Sequence, residues 1–406
     1  MKKGWPVIRL GDLTDLVTKG TTPTSIGHDF VEEGINFVKV ESITTTGQFI
    51  EKKFAHITPA CHAVLGRSQL QAGDILFSIA GALGRTGFVT DDILPANTNQ
   101  ALAIIRLKRD VGLSPKFVLK ALETGVVLEQ IEKFKGGVAQ QNLSLAQVRD
   151  FQIALPPLAE QQRIVGLLDE AFEGLATAKA NAEKNLQNAR ALFESHLQSV
   201  FTQRGPGWVE KHKPLSELCE LIVDCEHKTA PIQEEGIPSI RTPNIGKGKL
   251  LLEGVNRVSD ETYKAWTRRA EPLAGDLILA REAPAGNVAV IPENLRVCLG
   301  QRTVLIRPKA DIFDPSFLAF CLLEPQMQEK LLAHSRGATV QHVNMKDIRA
   351  LDVGAIPPLR IQQQISANVK AVSAEGERLA RLYERKLAAL EALKKSLLHQ
   401  AFTGEL

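Results

Sequence analysis

Cys219, Asp224, Cys225, Glu226 and His227 crowd four metal-binding residue types into a short stretch. A structural zinc site takes four ligands, usually as two closely spaced pairs. These two cysteines are six apart, so the set is incomplete, and a core cysteine followed by a polar loop is the simpler reading. The run Gly246-Lys247-Gly248-Lys249 lacks the spacing and the Ser/Thr of a phosphate-binding loop. No G-x-G-x-x-G follows a strand-like run, and neither G-x-S-x-G nor H-E-x-x-H occurs. The chain is therefore expected to hold no catalytic residue, no metal and no cofactor of its own. What remains are donor-rich polar loops: Lys19, Thr21, Thr22, Lys39, Ser42 and Arg85 early in the chain, and His227, Lys228, Arg241, Asn244, Lys247, Lys249 and Arg281 later. Arg and Lys suit guanine edges or phosphates, and Asn and Gln suit adenine. The chemistry open to such loops is non-covalent reading of a nucleic acid; each taken singly also fits a solvated surface side chain.

Of the 406 residues, 44% are hydrophobic and 23% charged, the balance of an ordinary globular protein. Lys and Arg total 49 against 46 Asp and Glu, a net charge of +3, which excludes histone-like binding but leaves room for a local patch. No run of about 18 apolar residues occurs, and the first residues lack the apolar core of a signal peptide. Five scattered cysteines then read as reduced thiols of a cytoplasmic protein.

The polar loops lie in a chain that is written twice. Gly4-Trp5 recurs as Gly207-Trp208, and Leu10-Gly11-Asp12-Leu13 as Leu215-Ser216-Glu217-Leu218. Ala72-Gly73-Asp74-Ile75-Leu76 recurs as Ala274-Gly275-Asp276-Leu277-Ile278, Gly84 as Gly286, and Pro115-Lys116-Phe117 as Pro315-Ser316-Phe317. Gly137 with Gln141 matches Gly337 with Gln341. Leu155-Pro156-Pro157-Leu158 followed by Gln161-Gln162-Arg163-Ile164 recurs as Ile356-Pro357-Pro358-Leu359 followed by Gln362-Gln363-Gln364-Ile365.

Each copy has two parts. The first mixes α and β: in copy one, residues 35–40, 74–79, 85–90 and 101–107 read as strands between Gly, Asn and Asp punctuation. Residues 115–124 and 144–150 read as helices, the former opened by Ser114 as N-cap and Pro115 in the first turn. The second part reads as one long helix. Val165, Leu168, Phe172, Leu175, Ala182, Leu186, Ala189, Phe193, Leu197 and Val200 follow a three-then-four spacing, interrupted by Lys179. Copy two carries Val369, Val372, Leu379, Leu382, Leu387, Leu390, Leu393 and Leu397, with Gly376 as a weak point. About 45 residues of helix span on the order of 65 Å. One such stripe cannot be buried alone, so the two helices are expected to pair, antiparallel because a globular part lies between them. The expected fold is α+β: globular domains at 1–155 and 207–355, helices at 156–206 and 356–406, and an antiparallel intramolecular coiled coil with pseudo-twofold symmetry.

A doubled chain with L-P-P-L-x-E-Q-Q-x-I opening a long helix after each domain resembles the specificity subunit of type I restriction–modification systems. Gly136-Gly137-Val138-Ala139-Gln140-Gln141-Asn142-Leu143 and Arg336-Gly337-Ala338-Thr339-Val340-Gln341-His342-Val343 are similar to that family's segment ending each target-recognition domain, and Phe402-Thr403-Gly404-Glu405-Leu406 is similar to its usual ending. One departure stands out: Glu160 of the motif is Ile361 in the second copy. The resemblance implies two target-recognition domains, each reading half of a bipartite double-stranded DNA site. It implies spacer helices (Leu168, Phe172, Leu175, Leu186, Phe193, Leu379, Leu390 and Leu397 in their seam) that set the gap. Two methyltransferase (M) subunits carrying S-adenosylmethionine dock on the chain, restriction (R) subunits can join, and the chain itself does no chemistry. A coiled-coil structural adaptor with protein-binding heads is the alternative. The four segments carry +2, −1, −1 and +3 in chain order, so neither reader is basic as a whole. A nearly neutral reader is expected to bind weakly alone.

Overall fold

Runs such as Ile75-Leu76-Phe77 and Leu277-Ile278-Leu279 are apolar at every position, so a strand built from them needs cover on both faces. The computed structural model, which describes residues 5–109, 112–135, 142–335 and 341–406, meets that need in the same way twice. Gly4 and the parts of the recurring segments at 136–141 and 336–340 lie outside the described residues. The chain forms two compact units, one of Met1–Glu183 with Arg385–Leu406, the other of Lys184–Glu384.

In the first unit the strands are β1 (Val7–Arg9), β2 (Thr14–Lys19), β3 (Ile35–Val38), β4 (Ala55–Ile57), β5 (Ile75–Ser78), β6 (Thr86–Phe88), β7 (Ala96–Thr98), β8 (Leu102–Leu107) and β9 (Gln152–Ala154). An antiparallel sheet runs β2-β8-β5-β6, a smaller one β4-β3-β7 with β3 and β7 parallel, and β1 pairs with β9. Ile75 and Phe77 point into a core shared with the helices, and Leu76 into a second core shared with Val38 and Ile43. That is the two-residue alternation of a strand buried on both faces. The second unit repeats this plan. Its strands are β10 (Val209–Glu210), β11 (Cys219–Asp224), β12 (Ile237–Ile240), β13 (Arg257–Val258), β14 (Leu277–Ala280), β15 (Val288–Val290), β16 (Cys298–Leu299), β17 (Thr303–Pro308) and β18 (Ala355–Ile356). Its sheets run β11-β17-β14-β15, β13-β12-β16 and β10-β18.

Ser114 Oγ accepts from Phe117 N to cap the helix Pro115–Leu122, and Asp314 does the same for Pro315–Leu323. The helix expected at 115–124 ends at Leu122, and a further helix, not expected from the sequence, spans Gly125–Lys135. Sequence reading also missed β2, whose end places Lys19 on a strand rather than in a loop. The strand expected at 35–40 ends at Val38 because Lys39 opens a 3-10 turn.

The two long helices are Leu158–Gln203 and Leu359–Thr403, and stretches of both enter each unit. They run antiparallel. In the first unit Arg163 Nη2 donates to Leu406 O at 2.9 Å and Lys179 Nζ to Glu391 Oε1 at 2.7 Å. In the second Arg190 Nη2 donates to Glu384 Oε1 at 2.7 Å. Lys179, the apparent interruption of the stripe, is thus an interhelical ion pair, and Glu391 lies below its ordinary carboxylate range chiefly through that hydrogen bond. Leu168, Leu197, Val369 and Leu398 are buried where the globular parts cover the seam. Leu175, Leu186, Leu379 and Leu390 are half-buried, as two helices without a third element require. Two leucines assigned to the seam face solvent instead: Leu382 is 40% exposed and Leu393 48%. The three-four spacing passes through their neighbours Tyr383 and Lys394, and the Lys394 ammonium lies 5.1 Å from the centre of the Phe172 ring. Gly376 is no weak point either: a Cβ there would meet Ala189 O at 3.0 Å, so glycine permits the close helix crossing.

All five cysteines are buried and free, and burial pushes the thiols of Cys219 and Cys321 up to about 12. Two glycines of the long helices are set apart by their surroundings. Gly376→Leu overpacks the crossing and is expected to cost about 1–3 kcal/mol. Gly174, with nothing near its Cβ direction, should as Gly174→Ala add about 0.5–1 kcal/mol. Chemical denaturation of the two variants beside the parent checks both signs.

Candidate nucleic-acid interface

A set of buried polar groups, repeated between the units, holds a rigid frame. Asp74 is 1% exposed and Asp276 2%; each takes a two-pronged guanidinium, from Arg106 at 2.7 Å and from Arg307 at 2.7–2.8 Å. These hydrogen bonds hold both arginines above their ordinary value. Arg149 donates to Val17 O and Arg349 to Ile222 O; Lys108 reaches Asp12 O and Lys309 reaches Glu217 O. The first glutamine of each Q-Q pair joins helix to domain. Gln161 accepts from Ser114 N at 2.9 Å and donates to Gly112 O and Pro156 O. Gln362 accepts from Asp314 N at 2.8 Å and donates to Ile312 O and Pro357 O. A buried primary amide satisfied by three backbone groups locks the start of each long helix to its domain.

On this frame one end of each unit gathers most of the residues singled out in the sequence. In the first unit Lys19 is exposed at the end of β2, and Gly20 follows so tightly that a Cβ would lie 1.8 Å from Thr98 O. Thr21 and Thr22 are half-buried, and the Thr22 hydroxyl donates to Gln100 Oε1. Lys39 sits with its ammonium 4.6 Å from the centre of the Phe30 ring. Ser42 and Arg85 point inward. Ser42 is fully buried, accepts from Lys39 N at 3.2 Å and donates to Lys53 O at 2.9 Å. Arg85 Nη1 donates to Val40 O at 3.1 Å and Ile43 O at 2.8 Å.

In the second unit the counterparts of Lys39 and Ser42 are Arg241 and Asn244. Arg241 is exposed, and its N–H donates to the buried Asn244 Oδ1 at 3.1 Å, the same cap built with an amide. The group doing Arg85's work in the second unit is Asn287, which donates to Ile245 O at 2.9 Å. Lys247 and Lys249 turn to the long helices, pairing with Glu194 and Glu377. His227 and Lys228 are exposed. Arg281 lies inside a network: Nη1 donates to Asp224 Oδ2 at 2.7 Å, Nε to Val343 O at 3.0 Å, and Nη2 lies 3.2 Å from His342 Nε2. The same Asp224 oxygen lies 3.3 Å from His227 Nε2, and His342 Nδ1 is 3.1 Å from Glu282 Oε1. Arg281 and His227 therefore converge on one oxygen of Asp224, while Cys219 and Cys225 face the core.

The polar end can donate and accept hydrogen bonds from a preorganised backbone, and in the second unit Arg281 and Arg302 are matched within it by Asp224 and Glu282. Sequence reading missed Gln100, Gln301 and Arg302 on the turn before β8 and β17. The available signal was recurrence, since Gln100 and Gln301 hold the same place in the two copies.

A sequence profile described as the type I restriction modification DNA specificity domain matches residues 2–186 and again 210–384. The chain is 24% identical over 356 residues to the EcoBI type I restriction enzyme specificity subunit of Escherichia coli, covering 82% of this chain and 73% of that one. It also resembles a chain in a solved structure of the type I R-M system, with a TM-score of 0.76, 22% identity, and 100% and 99% of the two chains covered. The HsdS subunit from Thermoanaerobacter tengcongensis matches with a TM-score of 0.63, 21% identity, and 100% and 98% covered.

The frame is open to direct test. Gln161→Ala strands three backbone groups and is expected to lower stability by about 2–4 kcal/mol. The exposed neighbour, as Gln162→Ala, should change it by less than about 0.5 kcal/mol. Equal denaturation midpoints would show that the glutamine is not the lock.

Proposed function

The chain belongs to the type I restriction modification DNA specificity family, and from that premise we propose that each unit reads one half of an interrupted, asymmetric double-stranded DNA site while the long helices fix the gap. It is a type I specificity subunit with two recognition domains. Catalysis lies with its partners in the cytoplasm: two M subunits dock on this chain, hold S-adenosylmethionine and methylate adenine, and the complex can add R subunits. The domains responsible are residues 1–155 and 207–355, and the spacers 156–206 and 356–406. The observation that carries the reading is one frame built twice with unlike polar ends. Equal frames present the two ends in the same way, and unlike ends select unlike half-sites, which makes the target asymmetric rather than palindromic.

Expression with the M subunits, followed by long-read methylome sequencing with and without this gene, tests the reading. The expected result is a new methylated motif of two short halves around a fixed gap; no such motif would refute it. Seven residues inserted into both helices, after 184 and after 385, keep the seam in phase and add about 10 Å, about three base pairs. The gap should lengthen accordingly, and an unchanged gap would remove the helices as the spacer. Because neither reader is basic, phosphate neutralisation falls largely to the M subunits. At physiological salt the isolated chain should bind its site more weakly than the complex; equal affinities by fluorescence anisotropy would place the whole clamp in this chain.

A further inference from the structure

The two units agree where their frames are buried and differ at one end. Asp74 and Asp276, Arg106 and Arg307, Arg149 and Arg349, and Gln161 and Gln362 are the same residues doing the same work. At the polar end the backbone is shared but the side chains are not: Lys19 stands where Asp224 does, Ile79 where Arg281 does, and Ala101 where Arg302 does. Readers of unlike sequences must differ at the surface that reads. Resting on the DNA-reading function proposed above, we propose that the turns before β8 and β17 are reading elements. Gln100 and Gln301 each recognise an adenine, and Arg302 recognises a guanine found only in the half-site of the second unit.

Both turns are clamped by neighbouring segments. In the first unit Gly20 N donates to Asn99 O at 3.1 Å, Thr98 Oγ1 to Val38 O at 2.8 Å, and Ala101 N to Asn99 Oδ1 at 3.1 Å. In the second unit Gly300 N donates to Ile240 O at 2.7 Å, Arg281 N to Arg302 O at 2.8 Å, and Thr303 Oγ1 to Gly300 O at 2.8 Å. Gly300 admits no side chain, since a Cβ would lie 2.5 Å from Arg241 Cγ. Side chains on a backbone held this way keep their aim.

Their chemistry fits base edges. Adenine in the major groove offers N7 as acceptor and N6–H2 as donor, which a glutamine amide meets with one donor and one acceptor. Gln100 accepts one hydrogen bond, from Thr22, and Gln301 gives one, to His227 O at 3.2 Å. Each amide thus retains a donor and an acceptor position. Arg302 holds φ at +63°, where non-glycine residues are uncommon, with a side chain 63% exposed. A glycine would sit there without strain, so an arginine at this strained position points to use of its side chain. Its Nη1 lies 2.7 Å from Glu282 Oε2, and His342 steadies Glu282 from the other side. That contact leaves other guanidinium N–H groups for the O6 and N7 of a guanine.

The test uses the complete modification complex and long-read methylomes of Gln100→Ala, Gln301→Ala, Arg302→Asn and Arg302→Lys. Asparagine tolerates the left-handed backbone, so loss of fold does not confound that variant, and thermal midpoints equal to the parent's confirm it. Arg302→Asn should relax one guanine position of one half-site, lowering discrimination roughly tenfold to hundredfold, with the other half unchanged. Arg302→Lys should fail to restore it. Gln301→Ala and Gln100→Ala should each relax an adenine position, in opposite halves. Unaltered motifs, or a loss of methylation uniform across sequences, would overturn the proposal, the latter by making these residues phosphate contacts. A parent complex with no bipartite motif would instead defeat the function on which the proposal rests.

Discussion

A helix of 46 residues with one apolar stripe draws most of its stability from packing that stripe, and the organisation of the chain follows from how the stripe is covered. Duplication supplies the cover, because the second copy brings a helix of matching length with its own stripe. The antiparallel pairing then places a stretch of each helix in each unit. Leu168 and Phe172 lie in one core with Leu398, Ala401 and Phe402, and Phe193 and Leu197 in another with Ile365 and Val369. Neither globular part has a finished core without residues from the other copy. Phe117, at the heart of the first, packs its ring 4.8 Å from Phe402.

Given that scaffold, the buried polar groups acquire a purpose that packing alone would not give them. A buried Asp–Arg pair rarely stabilises more than apolar residues would, but it admits few alternative geometries. Asp74 with Arg106 and Asp276 with Arg307 fix strands, and Gln161 and Gln362 fix helix starts. The polar end can then vary freely. Matched charges such as Asp224 with Arg281 let it carry buried arginines without adding net charge there.

Much of this was legible because it is local. The Ser114-Pro115 cap, the P-P-L break and the three-four stripe are each decided by residues within a few positions of one another. The repeat was legible because a frame fixed by buried contacts keeps its residue types. Other features depend on neighbours far away in the chain. Gly376 reads as a helix weakness until Ala189 O is seen beside it. Leu382 and Leu393 read as seam because leucine attracts the eye, while the seam runs through Tyr383 and Lys394. Arg85 and Arg281 match in type, yet Asn287 holds Arg85's hydrogen bond. Gln100 and Gln301 were visible as a recurrence, but their meaning depends on loops that the fold brings to the same turn.

The ring of Phe402 against Phe117 also sets an order in time. Residues 385–406 leave the ribosome more than 200 residues after the first unit's sheets are complete. At typical synthesis speeds that interval is on the order of ten seconds or more. Through it the nascent first domain lacks Leu398, Ala401 and Phe402, which complete the core around Leu168 and Phe172, and so keeps an open hydrophobic surface. A chaperone, or a second nascent chain from the same messenger, can meet that surface before its own partner helix exists.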